Sequence, residues 1–305
     1  MNDVAGYTNV RYYPTDQTYL GYTEYAAKDA STQPKAVMGK QYVVPSFTDM
    51  PRLDMLLDQR VQYTEGLKLL SHYSHNANVH VAYWEFPLLT LEKECNERRR
   101  SPITFVQLTK FFSDSEVWLL IRMLCLKNIE YCKKFSRYFG DIQPKLIMIR
   151  DAGDIYFNDI LNYNPREEDG YRRMLHNNSW FSPQGPQACE EINKRIETPA
   201  FDRNKNDVFS IGITVLAVIT DSLTLEAALK TFYSIQMFPP SLSPTAEYKR
   251  IVINFDAIHK TLSAAEQTQK RSPLLINVLR IMLSPKEDDR PTLYQVLEFL
   301  KIASA

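Results

Sequence analysis

The chain has 305 residues, the length of one large domain or of a two-lobed one. Lys plus Arg number 36 and Asp plus Glu 36, so the net charge is zero and there is no basic footprint for nucleic acid or an acidic membrane surface. A hydrophobic share of 44% beside 24% charged residues excludes wholesale disorder, collagen and coiled coil. The longest apolar run, 211–219, is about half of what a bilayer needs, and the polar N-terminus reads as carrying no secretory leader. Cys95, Cys125, Cys132 and Cys189 are too sparse for a disulfide framework and lack metal-type pairing, so a reducing cytoplasm is expected. Only 9 residues are glycine, and no two lie within 5 positions of each other, which excludes a glycine-rich phosphate cradle.

In chain order, residues 1–18 read as a polar arm studded with Tyr7, Tyr12 and Tyr13, too poor in pattern to fold alone. Residues 19–93 read as short strands around one helix. A strand is predicted at 42–44, a helix over 53–70 on Leu53, Leu56, Leu57, Val61, Leu67 and Leu70, and strands at 78–86 and 88–91. His72, His75 and His80 lie close in sequence. A metal site would need them to converge with a further ligand, and 75–79 reads instead as a structural turn.

Residues 92–102 read as a charged loop in which Glu92, Glu94 and Glu97 offset Arg98, Arg99 and Arg100. From 94 to 305 the pattern is mainly helical. Ser113-Asp114-Ser115-Glu116 is a capping box, followed by Val117, Leu120, Ile121 and Leu124 at helical spacing. Strands are predicted at 146–149 and 155–157, a loop-rich stretch over 160–206, and a helix buried on nearly all faces over 208–219. Further helices are predicted over 274–283 and from Pro291 onward. Cys125 and Cys132, seven apart on one helix, read as small core residues.

Three strings carry a resemblance. Asp207-Val208-Phe209-Ser210-Ile211-Gly212 resembles the D-x-W-S-x-G of protein kinases, with Phe for Trp. Asp288-Asp289-Arg290-Pro291 is similar to their D-x-R-P, and Phe139-Gly140-Asp141-Ile142-Gln143-Pro144 to their H-R-D-L-K-P. The resemblance implies an α+β, bilobal protein-kinase-like fold, with a small β-rich N-lobe over 19–93 and a larger, mainly α-helical C-lobe over 94–305. It implies that Asp207 accepts backbone N–H groups at its helix start and props up the catalytic loop. It gives Gly212 and Arg290 structural roles too. The carboxylate that pairs with that arginine in the family is replaced by Gln184, and Glu190 or Glu191 is the candidate substitute.

The residues that handle nucleotide in that family are mostly replaced. The glycine loop aligns on 21–26 and keeps only Gly21, beside Glu24. The strand-three lysine aligns on Pro45, which has neither charge nor N–H. Glu65 aligns with that lysine's glutamate partner. Asp141 stands at the catalytic base, but the metal-binding asparagine is replaced by Leu146, which offers no oxygen to magnesium. Asp159 stands at the metal-binding aspartate of D-F-G, whose glycine is lost.

The expectation is therefore a pseudokinase with no catalytic residue, cofactor or metal. It would serve as a protein-binding scaffold or structural subunit of a multi-subunit assembly, and a cytoskeletal or ciliary setting in the cytoplasm fits such a role. Tyr7, Tyr12, Tyr13 and Tyr19 are the candidate partner contacts, because tyrosine combines large contact area with a polar tip. Two rival readings stand beside it: a regulatory pseudokinase controlling an active kinase, and an atypical ATP-dependent kinase using Asp141 and Asp159.

Overall fold

A computed structural model describes residues 7–13, 18–23, 35–43, 50–61, 68–85, 89–100, 112–136, 138–140, 142–149, 154–157, 202–220, 222, 224–237 and 249–303. The chain divides into two units, Met1–Leu89 with Tyr156–Glu168 and Thr90–Ile155 with Asp169–Ala305.

In the first unit, strands β1 (Tyr7–Tyr13), β2 (Thr18–Thr23), β3 (Lys35–Val43), β4 (Leu69–Asn76) and β5 (Val79–Glu85) form one antiparallel sheet in the order β1-β2-β3-β5-β4. Alternation explains it. Val79, Val81 and Tyr83 share one face of β5 and pack with Val37, Leu70 and Tyr73. His80, Ala82 and Trp84 take the other face, and all three are buried. Helix α1 (Met50–Val61) lies between β3 and β4 in sequence and buries Met50, Leu53 and Leu57 at helical spacing.

Three expectations are corrected here. Part of the arm over 1–18 is strand β1, because pairing with β2 supplies the order that its own sequence lacks. The helix predicted over 53–70 closes at Val61, and Leu69 and Leu70 open β4, where the leucines serve a sheet face. The third strand runs over Lys35–Val43 rather than 42–44, since β2 and β5 flank it on both sides.

The second unit contains helices α2 (Leu91–Arg100), α3 (Asp114–Phe135), α4 (Arg203–Ile219), α5 (Leu225–Phe232), α6 (Phe255–Gln267), α7 (Pro273–Met282) and α8 (Leu293–Ala303). Strand β6 (Ile147–Ile149) follows a 3-10 turn at Pro144–Leu146, β7 (Ile155–Phe157) spans the division of the chain at 155/156, and β8 (Tyr233–Met237) pairs with β9 (Lys249–Ile253). Every residue of α4 from Asn206 to Ile219 is buried, and α3, α5, α6, α7 and α8 pack around it. The predicted charged loop over 92–102 is helix α2 as far as Arg100, and 101–102 lie outside the described residues. Leu91 and Cys95 give it a buried stripe, and Glu92 and Glu94 in its first turn with Arg98 to Arg100 in its last suit the helix dipole.

The arginine run is largely used inside this unit. Arg98 reaches Glu94 and Glu116 at 2.7 Å each, and Arg99 donates to the α4 carbonyls of Ala217 at 2.8 Å and Val218 at 3.4 Å and to that of Thr220 at 3.1 Å. Among the described residues, no helix is long and apolar enough to cross a membrane.

Candidate functional site

In the first unit, α1 and the β4–β5 hairpin bring four titratable side chains together. Asp54 and Asp58 stand one turn apart on α1, each beside a buried leucine. His80 lies opposite Ser74 in the ladder, and His72 stands two residues before Ser74, so all three share a face. His72 Nε2 lies 3.1 Å from Asp58 Oδ1, His72 Nδ1 lies 3.0 Å from His80 Nε2, and His80 Nδ1 lies 3.2 Å from Asp54 Oδ1. Ser74 Oγ is a further neighbour of His80 Nδ1, at 3.3 Å.

His80 is 1% exposed, Asp54 41% and Asp58 71%, so the cluster opens to solvent at its acidic end. Burial pulls His80 below the ordinary histidine range, and His72 adds to that; Asp54 and Asp58 pull the other way. Of the three sequence-neighbouring histidines, His72 and His80 meet, while His75 lies exposed near the turn at 77–78, which Asn76 Oδ1 closes by accepting Asn78 N–H at 2.9 Å. Convergence with aspartates of α1 was not legible, because it depends on how α1 lies over the sheet.

In the second unit, the sequence-predicted residue Asp207 sits in the second turn of α4 and is fully buried. The helix opens earlier than expected, and Asp202 is its N-cap, accepting from Asn204 N at 2.9 Å and Lys205 N at 3.2 Å. Asp207 Oδ2 accepts from Asn128 Nδ2 at 2.8 Å and from Gly140 N–H at 3.1 Å, and Asn128 Oδ1 accepts from Phe139 N–H at 3.0 Å. Gly140 has φ 78°, a left-handed conformation that glycine adopts without strain. Sequence reading missed Asn128. Its signal is a polar residue continuing the apolar stripe Val117, Ile121, Leu124 of α3.

Gly212 lets α4 approach the end of α7: a Cβ there would meet Leu283 Cδ2 at 3.0 Å and Met282 Cβ at 3.3 Å. Arg290 lies 4.9 Å over the Phe209 ring and donates to the carbonyls of Ser284 at 2.7 Å and Pro285 at 3.1 Å, just beyond α7. Burial pulls its guanidinium down to about 10, against Glu287, and leaves it charged at neutral pH. Gln184, Glu190 and Glu191 lie outside the described residues.

Pro45, Glu65, Asp141 and Asp159 also lie outside them. Leu146, the last residue of the 3-10 turn, is 1% exposed and donates its N–H to Gln143 O at 2.9 Å. Of the stretch 21–26, Gly21 is a residue of β2 paired with Val37, and 24–26 lie outside the described residues; the residues between β1 and β2, Pro14-Thr15-Asp16-Gln17, include no glycine. The strand aligned to lead into Pro45 is β3, which ends at Val43 and carries Lys40 opposite Ala82.

Tyr7, Tyr12 and Tyr13 belong to β1 and Tyr19 to β2, where Tyr12 pairs with Tyr19 and Tyr13 with Thr18. A cavity of ≈ 240 Å³ lies in the second unit between α2, the 3-10 turn and α5, lined by Glu92, Lys145, Glu226 and Tyr233 among others. Burial pushes Glu92 up, Lys145 opposes this and Glu226 adds to it. The cavity is smaller than the ~300 Å³ at which ligand pockets usually begin. No family model matches the chain, and neither does any curated protein.

Proposed function

We propose that the chain is a pseudokinase: a protein-kinase-like fold without phosphoryl transfer, acting as a protein-binding scaffold or structural subunit. One observation carries the reading. Leu146, which aligns with the family's metal-binding asparagine, is a core residue, and an apolar buried side chain cannot hold magnesium. Around it the structural residues remain in use, since the Asp207–Asn128 pair holds the backbone of Phe139 and Gly140 just ahead of Asp141. The layout agrees with this, being a five-stranded sheet with one helix between its third and fourth strands, followed by a helical unit. The glycine-free β1–β2 connection offers nucleotide phosphates no close backbone approach. In this reading the outer edge of β1, last in the sheet order, is the candidate partner contact, because an edge strand can accept a further strand.

Lys40 supports one second reading, an atypical kinase, because it puts a cation in the strand where the family's phosphate-binding lysine stands. Transfer of labelled phosphate from Mg-ATP or Mn-ATP, to the protein itself and to a generic substrate, separates the two. The scaffold reading expects no transfer above the blank. Transfer abolished by Lys40→Ala or Asp141→Asn would establish the enzyme instead.

A further inference from the structure

The contacts Asp58–His72, His72–His80 and His80–Asp54 each bring together two atoms that bear lone pairs, at 3.1, 3.0 and 3.2 Å. Each needs one hydrogen, or a cation, between its atoms. Two neutral imidazoles supply one N–H apiece, and ionised carboxylates supply none. Two hydrogens cannot serve three contacts. Placing one on the His–His contact turns a bare ring nitrogen onto a carboxylate oxygen, two acceptors in contact. Placing both against the carboxylates leaves His72 Nδ1 and His80 Nε2 bare and 3.0 Å apart. The second arrangement avoids the carboxylate clash and leaves two bare imidazole nitrogens, the donor atoms that a metal ion takes from histidine.

We propose that His72 Nδ1, His80 Nε2 and the Asp54 carboxylate bind one transition-metal ion of the zinc class. The ligand atoms of these three residues lie within 4.8 Å of one another, and Asp54 Oδ1 is 4.0 Å from His72 Nδ1. A tetrahedral zinc site with bonds of about 2.0–2.1 Å spaces its ligands ~3.3 Å apart, so the two nitrogens need only part by a few tenths of an ångström. As Asp54 turns to the ion, Ser74 Oγ accepts the His80 Nδ1–H that it leaves. Asp58 keeps the His72 Nε2–H, the outer carboxylate that fixes a ligating imidazole.

A water completes the coordination. Imidazole with one carboxylate suits zinc, copper or nickel over magnesium or calcium, which take oxygen ligands. His80 is 1% exposed, and its burial disfavours the charged form, which cannot ligate. The exposed carboxylates give the ion its route in, and the bound ion ties α1 to the β4–β5 hairpin.

The test uses full-length protein stripped by chelator and titrated with Co²⁺, read by visible absorption, and with Zn²⁺, read by competition and thermal melting. One equivalent should bind, and the melting temperature should rise with Zn²⁺ concentration. His72→Gln and Asp54→Asn, at positions partly open to solvent, should lower affinity at least ~10-fold with the far-UV spectrum unchanged. Asp58→Asn should lower it by about 10- to 100-fold, and His75→Gln should leave it as it was. Absence of stoichiometric uptake by the unaltered protein would overturn the proposal and assign the missing charge to a proton. Uptake that survives both His72→Gln and Asp54→Asn would overturn it equally.

Discussion

Asp207 is a carboxylate with no exposure in the second turn of a helix, and its neighbours explain why it is there. It takes one hydrogen bond from a side chain of α3 and one from the backbone before Asp141. Asp207→Ala leaves two buried donors without this acceptor and should lower the unfolding free energy by about 2–4 kcal/mol, measured by urea denaturation. Gly140→Ala forces a side chain into the left-handed region and should cost about 1–2 kcal/mol in the same assay. Restoring the arginine that kinases carry at this position would meet the same strain.

Glu116 supplies a pH effect. Burial alone would raise its pKa, but hydrogen bonds from Arg98 and from the backbone and hydroxyl of Ser113 outweigh that and lower it below 4.5. A group depressed in the folded state contributes stability above its unfolded value, and this is lost as pH falls through the folded one. Acid unfolding monitored downward from pH 4.5 should therefore lose a component in Glu116→Gln.

At the scale of elements, sequence reading succeeds where a segment's own pattern decides its structure. The capping box at Ser113 is present in full, with Glu116 N–H donating to Ser113 Oγ and Ser113 N–H to Glu116 Oε2. Ser113→Ala should cost about 1 kcal/mol, read by thermal unfolding. The all-apolar run of α4 is likewise legible as a buried helix. Failure came where partners decide. Helix α2 has only Leu91 and Cys95 as its buried stripe, and it is fastened by Arg99 to the end of α4 and by Asn96 to Leu225 N–H, contacts more than 100 residues distant. β1 is ordered by β2, and the leucines of β4 fit helix or strand equally until β5 pairs with them. The His–Asp cluster failed to show for the same reason: its histidines come from one hairpin and its carboxylates from a separate helix.

Over the whole molecule, the structural and the chemical positions of the kinase resemblance behave differently. Asp207, Gly212 and Arg290 are all buried or closely packed and bound to named partners in the second unit. Leu146 fills core where a metal ligand would stand. The proposed scaffold role would use the surfaces of such a fold, and neutrality at 36 acids and 36 bases provides no net charge to draw polyanions to them. Lys40 in β3 is a described residue on which the rival reading, an atypical kinase, would rest.

Equilibrium titration of the full chain with ATP, with and without magnesium, followed by melting temperature, tests this account most directly, since a ligand bound only by the folded state must raise it. The account predicts no shift up to millimolar nucleotide. A magnesium-dependent rise that disappears in Lys40→Ala would contradict it and favour the rival reading of an atypical kinase.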